Sequence, residues 1–273
     1  MKFSTLNFIN KYLSKITPFK IKTDTTHERF SKEITYDLLK EIYGENALIE
    51  KKFLNFGAGY RFNHFAFRNV DKYNGDIDLK WSPCDFVPIN LKQESIKVIY
   101  TSHMIEHLTY EEAKFMLSEI YRILEPQGQL RIVAPDIDIF HQAYLANDKI
   151  IFNKRFNIHH SYVSVFAARL IKGFGDYKPT IGEDEIKELF KTKNRFDVYD
   201  YLIKKVNAKN DRLDWYNHIS WWNFERFNKI LHEIGFSKVS KSAYSQSGFL
   251  ILKDIRYFDQ TAPWYSLYVD AIK

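Results

Sequence analysis

Three short apolar runs between residues 53 and 136 each stop abruptly at glycine, histidine or an acidic residue. They are LNFGAG at residues 54–59, VIYTSHMIEH at residues 98–107 and LRIVAPD at residues 130–136. Strands that are apolar throughout are typical of a parallel sheet covered on both faces, and such sheets bind ligands at the carboxyl ends of their strands. The runs therefore predict an α/β fold with a ligand crevice along one edge of the sheet.

A helix between the second and third runs has the clearest local signals. Thr109 and Glu112 have the spacing of a capping box, and apolar residues then recur at helical intervals up to Leu124. Residues 126–128, Pro-Gln-Gly, are predicted to end this helix. Strand, helix and strand in this order require a right-handed crossover between parallel strands.

Periodicity and turn residues predict the remaining elements. Helices are expected at 28–43, with Gly44 as the stop, and at 221–234, with Gly235 as the stop. Strands are expected at 51–56, 66–71, 96–101, 129–134, 236–244, 248–252 and 266–272.

The aromatic-rich middle of the chain shows helical patterns and no clear strand. We therefore divide the chain into a basic amphipathic arm at 1–27, a core formed by 28–140 and 223–273, and a helical region at 141–222 that covers the crevice. In the arm, apolar residues at helical spacing lie among lysines. This pattern favours docking on the protein's own core or on a second subunit over a membrane surface, so a homodimer is an open alternative.

Charge and cysteine content narrow the class of protein. The net charge of +6 suits an anionic small molecule such as a nucleotide-linked sugar or a phosphate ester, although general solubility explains it equally well. No nucleic-acid-binding motif or dense basic stripe is present, and no apolar run reaches the ~18–20 residues that span a bilayer. The single cysteine, Cys84, excludes an intrachain disulfide. With no signal-peptide pattern, we expect a cytoplasmic protein.

The order and spacing of the three runs resemble those of the class I S-adenosylmethionine-dependent methyltransferases. Residues 55–61, Asn-Phe-Gly-Ala-Gly-Tyr-Arg, are similar to the family's first motif, acid-x-Gly-x-Gly-x-Gly, with Asn55 in place of the acid and Arg61 in place of the third glycine. The resemblance implies a Rossmann-like, seven-stranded, mostly parallel sheet whose last strand, at 266–272, is antiparallel. It also implies S-adenosylmethionine as the cofactor.

The first motif and the second strand supply the expected cofactor contacts. Gly57 and Gly59 let backbone N–H groups approach a ligand closely, although a structural turn explains two glycines about as well. The resemblance assigns Asn55 to the methionine amino group and Asp71 to the ribose hydroxyls. Two nearby acids compete with Asp71 for the ribose: Asp76 and Asp78.

Later segments supply the adenine and methyl ends of the expected cofactor site. By the family spacing, Asp85 would accept the exocyclic amine of adenine, and Phe86 offers an aromatic face beside it. Ser102 is assigned to the cofactor because the end of the fourth strand faces the methyl group in the family.

His103, which follows Ser102, is the candidate general base. A sugar hydroxyl is not ionised at neutral pH, so removing its proton during methyl transfer raises the rate by roughly 10²–10⁴-fold. If the acceptor is already anionic, as in a phosphate or phosphoramidate, His103 would instead position it. We predict a second catalytic residue, His218, in the wall of the acceptor pocket.

His103, Glu106 and His107 also spell H-x-x-E-H, and this spacing places three ligands on one helical face. Here the string directly follows a buried strand rather than lying within a helix. We therefore predict no metal ligand and expect Glu106 and His107 to brace the loop, with a divalent metal as the open alternative.

Several other polar and aromatic residues are weaker candidates for the acceptor pocket. Asp136 and Asp138 either hold substrate or cap the next helix. Core packing explains most aromatic residues near His218. The remaining candidates for the pocket wall are His159, His160, Trp215, Tyr216, Trp221 and Trp222.

Four segments together resemble a bacterial methyltransferase subgroup encoded with surface-polysaccharide enzymes: SHMIEHL at 102–108, EIYRILEP at 119–126, RIVAPD at 131–136 and SLYVDA at 266–271. The resemblance implies O-methylation of a capsular or lipopolysaccharide sugar, or of a phosphoramidate group on such a sugar.

Two alternatives stay open. A nicotinamide-dependent sugar oxidoreductase or epimerase would need G-x-G-x-x-G, whose last glycine falls on Phe62 here. A catalytically silent methyltransferase-like subunit of a biosynthetic complex is compatible with the altered first motif.

Overall fold

The computed structural model describes residues 36–59, 62, 64–72, 77–146, 148, 182–207 and 218–273. The chain divides into two compact units, residues 1–45 and 46–273. In the first unit residues 36–43 are helical, and Gly44, at φ 83°, ends the helix by donating its N–H to the carbonyl of Lys40. This confirms the predicted helix and its stop over 36–44. The arm at 1–27 lies outside the described residues.

A seven-stranded sheet organises the second unit. Its strands are β1 (Phe53–Phe56), β2 (Phe67–Asp71), β3 (Leu79–Lys80), β4 (Ile96–Ser102), β5 (Leu124–Pro135), β6 (Lys238–Ser242) and β7 (Ser266–Ile272). The order is β3-β2-β1-β4-β5-β7-β6. Strands β1 to β5 pair in parallel, whereas β7 is antiparallel to both β5 and β6. This confirms the predicted mostly parallel sheet with an antiparallel last strand.

Helices connect the strands and cover the sheet. They are α1 (Glu45–Ile49), α2 (Tyr110–Ile123), α3 (Ile137–Leu145), α4 (Glu183–Thr192), α5 (Arg195–Asn207) and α6 (Phe224–Ile234). Short 3₁₀ turns lie at Pro83–Asp85, Ile105–His107 and Leu250–Lys253. No helix within the described ranges is long and apolar enough to cross a membrane.

The start of α2 confirms the predicted capping box. The Thr109 hydroxyl accepts the N–H of Glu112, and the Glu112 carboxylate accepts the N–H of Thr109. The helix ends before residues 126–128, as predicted, but β5 begins at Leu124 instead of Gln129. Gln127 and Gly128 exchange backbone hydrogen bonds with Lys273, just after β7, so the residues predicted as a turn are part of strand β5.

The predicted strand at 248–252 is wrong. Ser247 and Gly248 both donate hydrogen bonds to the carboxylate of Asp270 in β7, and Phe249 N–H donates to the hydroxyl of Ser247. These bonds turn the chain into the 3₁₀ turn at Leu250–Lys253. Phe249, Ile251 and Leu252 are buried there, whereas Leu250 is exposed.

Two apolar clusters fill the second unit. The larger one lies between the sheet and helices α2 and α6, and includes Leu54, Ile99, Leu117, Ile132 and Phe227. The smaller one joins α3, α4 and α5 to Trp221 and to Tyr265, which directly precedes β7. Because α3 follows β5 and β7 runs antiparallel to it, this helical layer packs at the carboxyl edge of the parallel strands. The described parts of 141–222 therefore lie at the edge where the sequence predicts the crevice.

Candidate functional site

The turn that follows β1 carries the two predicted glycines in left-handed backbone conformations. Gly57 has φ 69° and Gly59 has φ 58°, a region that side chains rarely adopt. A Cβ on Gly57 would lie 2.8 Å from the side chain of Met104, whereas a Cβ on Gly59 would meet nothing within 4 Å. Gly57 therefore permits close packing against the turn after β4, and Gly59 leaves space open at the sheet edge.

Asp71, at the end of β2, meets the glycine turn directly. Its Oδ2 atom accepts the N–H of Gly59 at 3.0 Å, and its Oδ1 atom accepts the N–H of Lys72 at 2.7 Å. The competing acid Asp78 instead accepts the N–H of Asn69 at 2.7 Å and so fixes the loop to β2. Asp76 lies outside the described residues. The structure thus brings together Gly59 of the glycine turn and Asp71, the acid expected to accept the ribose hydroxyls.

Asn55 lies inside β1 rather than at its end. It is 3% exposed, and its Cα pairs with those of Asn69 in β2 and Tyr100 in β4. Ser102 is the last residue of β4 and pairs with Val133 of β5. Contact of Asn55 or Ser102 with a cofactor stays a prediction.

The expected adenine contacts lie in the loop after β3. Asp85 ends the 3₁₀ turn at Pro83–Asp85 and is exposed. Phe86 has φ 51° and is 52% exposed, with its ring 5.4 Å from that of Phe115 in α2. An exposed aromatic ring next to a carboxylate is compatible with adenine binding, which stays a prediction for both residues.

His103 turns the chain sharply out of β4. It has φ 50°, which is uncommon for a residue with a side chain and often marks a constrained functional position. Its backbone N–H donates to the carbonyl of Val133, so the constraint is anchored on the neighbouring strand β5. The chain then enters the 3₁₀ turn at Ile105–His107.

The imidazole of His103 is held from both sides. Nδ1 lies 3.1 Å from Oε1 of Glu106, and Nε2 lies 2.8 Å from Oγ of Ser266. The order carboxylate, imidazole, hydroxyl is that of a hydrolase triad. However, Ser266 is 7% exposed, and its hydroxyl also lies within bonding distance of the carbonyls of Thr261 and Ala262. This arrangement fits a hydroxyl that orients the ring rather than a nucleophile.

Glu106 lies at the centre of three imidazoles. It is 2% exposed, and its Oε1 atom lies 3.9 Å from Nε2 of His107 and 4.0 Å from Nε2 of His218, besides its contact with His103. Burial by itself raises the pKa of Glu106, but the bond to His103 and the charges of all three histidines outweigh it and lower the pKa to about 2. The predicted bracing pair Glu106 and His107 is therefore part of a larger cluster.

His218 reaches this cluster because its segment pairs with the 3₁₀ turn. The N–H groups of Ile219 and Ser220 both donate to the carbonyl of Glu106, and the Ser220 hydroxyl donates to the carbonyl of Ile105. The rings of His107 and His218 meet edge to face at 5.1 Å. The two predicted catalytic histidines, His103 and His218, thus contact the same carboxylate.

Asp136 and Asp138 serve structural roles in the described residues. Asp136 is the N-cap of α3 and accepts the N–H of Asp138, and burial raises its pKa. Asp138 accepts a hydrogen bond from Asn223 and lies 3.3 Å from Arg195. The remaining aromatic candidates divide between buried positions, Trp221 and Trp222, and positions outside the described residues, His159, His160, Trp215 and Tyr216.

Sequence reasoning missed Ser266 as a partner of His103 and missed the contact between His218 and Glu106. Both contacts join segments far apart in the chain. Ser266 appeared only as the first residue of a predicted strand, and no periodicity reveals which loop a strand end will meet. The only usable signal was its position at an antiparallel strand start, which lies at the carboxyl edge of parallel neighbours.

Part of the chain, from the residues before β2 into β5, matches the model of a known protein family. Residues 63–132 match the family model of a methyltransferase domain. No curated protein matches the sequence.

Several solved structures are similar to the chain. A methyltransferase from Thermotoga maritima, described as a possible histamine N-methyltransferase, has 12% identity and a TM-score of 0.40, over 90% of this chain and 97% of that chain. A methyltransferase from Mesorhizobium loti has 13% identity and a TM-score of 0.40, over 81% of this chain and 90% of that chain.

Proposed function

We propose that this chain, which carries a class I S-adenosylmethionine-dependent methyltransferase domain, O-methylates a precursor of a surface polysaccharide. The acceptor would be a sugar hydroxyl or an oxygen of a phosphate or phosphoramidate group. The observation that supports a working cofactor site best is the bond between Asp71 and the N–H of Gly59. It joins the glycine turn after β1 to the acid at the end of β2, the two places where a nucleoside would bind.

The cofactor site would use residues of strands β1 and β2 and of the turns after β1 and β3. Gly59 leaves space for the amino-acid part of the cofactor, Gly57 lets Met104 pack against the glycine turn, and the Asp71 carboxylate accepts the ribose hydroxyls. Phe86 would stack on the adenine, because more than half of its surface is exposed beside the crevice. Asn55 offers an uncharged acceptor to the methionine amino group, which would bind more weakly than a carboxylate.

The reaction would be a direct displacement at the methyl carbon. An acceptor oxygen attacks this carbon, a C–O bond forms, and the C–S bond breaks with its electron pair passing to sulfur. The products are the methylated acceptor and S-adenosylhomocysteine. For a hydroxyl acceptor the proton must leave at the same time, and a nearby base takes it.

His103 is the proposed base or positioning group for this step. In the structure Nε2 bonds to Ser266, so an acceptor hydroxyl would have to replace the Ser266 hydroxyl at that nitrogen. Such exchanges are common, because catalytic hydrogen bonds often form only in the substrate complex. Glu106 at Nδ1 would keep the ring oriented and stabilise its protonated form. His218, on the other side of Glu106, would line the acceptor pocket.

The polysaccharide acceptor rests on the sequence resemblance to the capsule-associated subgroup and on charge. A net charge of +6 is compatible with phosphorylated or nucleotide-linked acceptors. The fold alone does not determine the acceptor.

Calorimetry and a methyl-transfer assay test the proposal separately. The full chain is titrated with S-adenosylhomocysteine and with NAD, and only the former is expected to bind. The chain is then incubated with S-adenosylmethionine carrying a labelled methyl group and with nucleotide-activated sugars, sugar phosphates and phosphoramidate derivatives. Label in one of these acceptors is the expected result. Binding of NAD alone contradicts the cofactor, and cofactor binding without transfer to any panel member favours a silent subunit.

A further inference from the structure

We propose that Glu106, His107 and His218 bind one divalent transition-metal ion. Each residue offers one ligand atom, and these three atoms all lie within 4.8 Å of one another. Two of the ligands come from the 3₁₀ turn after β4, and the third comes from the segment hydrogen-bonded to that turn. The site goes beyond the proposed function, because its occupation requires neither cofactor nor acceptor.

The distances need little adjustment to hold an ion. Oε1 of Glu106 lies 3.9 Å from Nε2 of His107 and 4.0 Å from Nε2 of His218. Ligand atoms about 2.0–2.2 Å from a tetrahedral ion lie about 3.4 Å apart. The two carboxylate–imidazole separations exceed this value by roughly half an ångström, and the two imidazole ligand atoms lie within 4.8 Å of each other, so side-chain rotations would bring the three ligand atoms to coordination distance.

The buried carboxylate of Glu106 points to a cation. Glu106 is 2% exposed, and among the described residues neither of its oxygens accepts a well-aligned hydrogen bond. Within the described ranges its ion-pair contacts are with three imidazoles, the closest being Nδ1 of His103 at 3.1 Å. Burying an ionised carboxylate without compensation is costly, so such groups are paired or coordinate metals. A metal ion bound by Glu106, His107 and His218 would add to the compensation from His103 without requiring the two ligand imidazoles to be protonated.

The ligand types select the class of ion. Two imidazoles and one carboxylate suit zinc and its transition-metal neighbours, whereas magnesium and calcium prefer sites built from oxygen atoms. Three protein ligands leave at least one coordination position for water or another oxygen. The His107 side chain is 31% exposed, so solvent reaches the cluster from its side.

His103 lies beside the proposed site without being one of its ligands. Its Nδ1 atom contacts the same Glu106 oxygen that approaches the two ligand histidines. Groups of this kind orient a ligating carboxylate and tune the affinity for the metal. A bound ion would supply Lewis acidity near the strand end assigned to methyl transfer.

Metal titration of the full, untagged chain tests the site. The protein is dialysed against a chelator and then titrated calorimetrically with zinc chloride, and separately with cobalt chloride while the visible absorption of Co²⁺ is recorded. The variants are Glu106→Gln and His218→Ala, with His107→Gln as the least buried substitution. The matched control is His232→Ala, because His232 lies on α6 outside the cluster. Circular dichroism and thermal melting verify that each variant is folded.

The expected result is one equivalent of metal bound by the wild type and by His232→Ala, with at least about tenfold weaker binding by each folded ligand variant. The Co²⁺ spectrum should show the strong visible bands of a low-coordinate site and lose them in the variants. The inference is overturned if the wild type binds no stoichiometric metal, or if binding is unchanged in the folded ligand variants. Since S-adenosylhomocysteine binding is measured separately, a failure of the metal site and a failure of the proposed function are distinguishable.

Discussion

The Nε2 atom of His103 lies 2.8 Å from the hydroxyl oxygen of Ser266, a residue 163 positions away in the sequence. This bond connects the turn after β4 to the start of β7. With Glu106 at the other ring nitrogen, it fixes both the position and the rotation of the imidazole. In the proposed reaction, in which His103 takes the acceptor proton, Ser266 orients the imidazole ring before the acceptor binds.

Replacing His103 by alanine is expected to lower turnover by about 10²–10⁴-fold, the usual contribution of a general base, with little change in cofactor affinity. Steady-state methyl transfer and calorimetry with S-adenosylhomocysteine measure the two effects. Ser266→Ala should give a smaller loss of turnover, and Ser266→Thr should restore much of it because it keeps the hydroxyl. Unchanged turnover in His103→Ala would remove this imidazole from the mechanism.

Replacing Asp71 by asparagine is expected to weaken S-adenosylhomocysteine binding by about 10–100-fold. The amide oxygen can accept the N–H of Gly59 or of Lys72 but not both, and the ribose loses hydrogen bonds to a charged acceptor, which contribute roughly 1.5–3 kcal/mol each. Asp78→Asn is the control, because the Asp78 carboxylate already bonds to the N–H of Asn69. Calorimetric titration of both variants with S-adenosylhomocysteine measures the two losses of affinity. Equal losses would assign the ribose to neither acid in particular.

The two glycines after β1 should tolerate alanine differently. Both have positive φ, which costs a residue with a side chain roughly 1–2 kcal/mol. Only Gly57→Ala also forces the side chain of Met104 to move, because the new Cβ would lie 2.8 Å from it. Urea unfolding is expected to show a larger fall in the free energy of unfolding for Gly57→Ala than for Gly59→Ala. A larger loss of stability in Gly59→Ala than in Gly57→Ala would contradict the close packing of Gly57 against Met104.

A buried ion cluster ties β5 to β7. Arg131, which is fully buried, bonds to both oxygens of Asp259 and to the carboxylate of Asp270. Removing the arginine leaves two buried carboxylates without their counter-ion, so Arg131→Met should lower the free energy of unfolding by about 3–5 kcal/mol. Arg256→Ala, which breaks a partly exposed pair, should cost about 1 kcal/mol or less. Similar losses in chemical denaturation would contradict this difference.

Stability is expected to depend on pH through His64, which lies among aromatic rings. Burial is the main cause that lowers the pKa of His64 from 6.5 to about 4. Between these values the unfolded chain binds a proton that the folded chain does not, so His64 makes the protein less stable as pH falls from about 6.5 towards 4. The slope is at most about 1.36 kcal/mol per pH unit.

Comparing the wild type with His64→Phe by urea unfolding at pH 7, 6 and 5 isolates this contribution. The phenylalanine fits the aromatic surroundings and does not titrate, so the variant should lose less stability on acidification. Parallel pH dependence in the two proteins would show that His64 is not responsible.

Most of the sheet and its helices followed from local sequence. A capping box, a positive-φ glycine or an apolar run acts within a few residues, so the physical cause lies inside the pattern itself. Thr109 with Glu112 and the glycines at 44 and 235 behaved as predicted. The strand predicted at 248–252 does not form, because the distant carboxylate of Asp270 accepts hydrogen bonds from Gly248 within the run and from Ser247 just before it.

The site divides in the same way. The sequence by itself determined which residues lie at the ends of parallel strands, and this was enough to bring Gly59 and Asp71 together. Only the tertiary structure decided that Ser266 meets His103 and that His218 joins Glu106 and His107. Strand periodicity specifies which face a side chain takes, whereas contacts between distant loops depend on how the whole chain packs around the sheet.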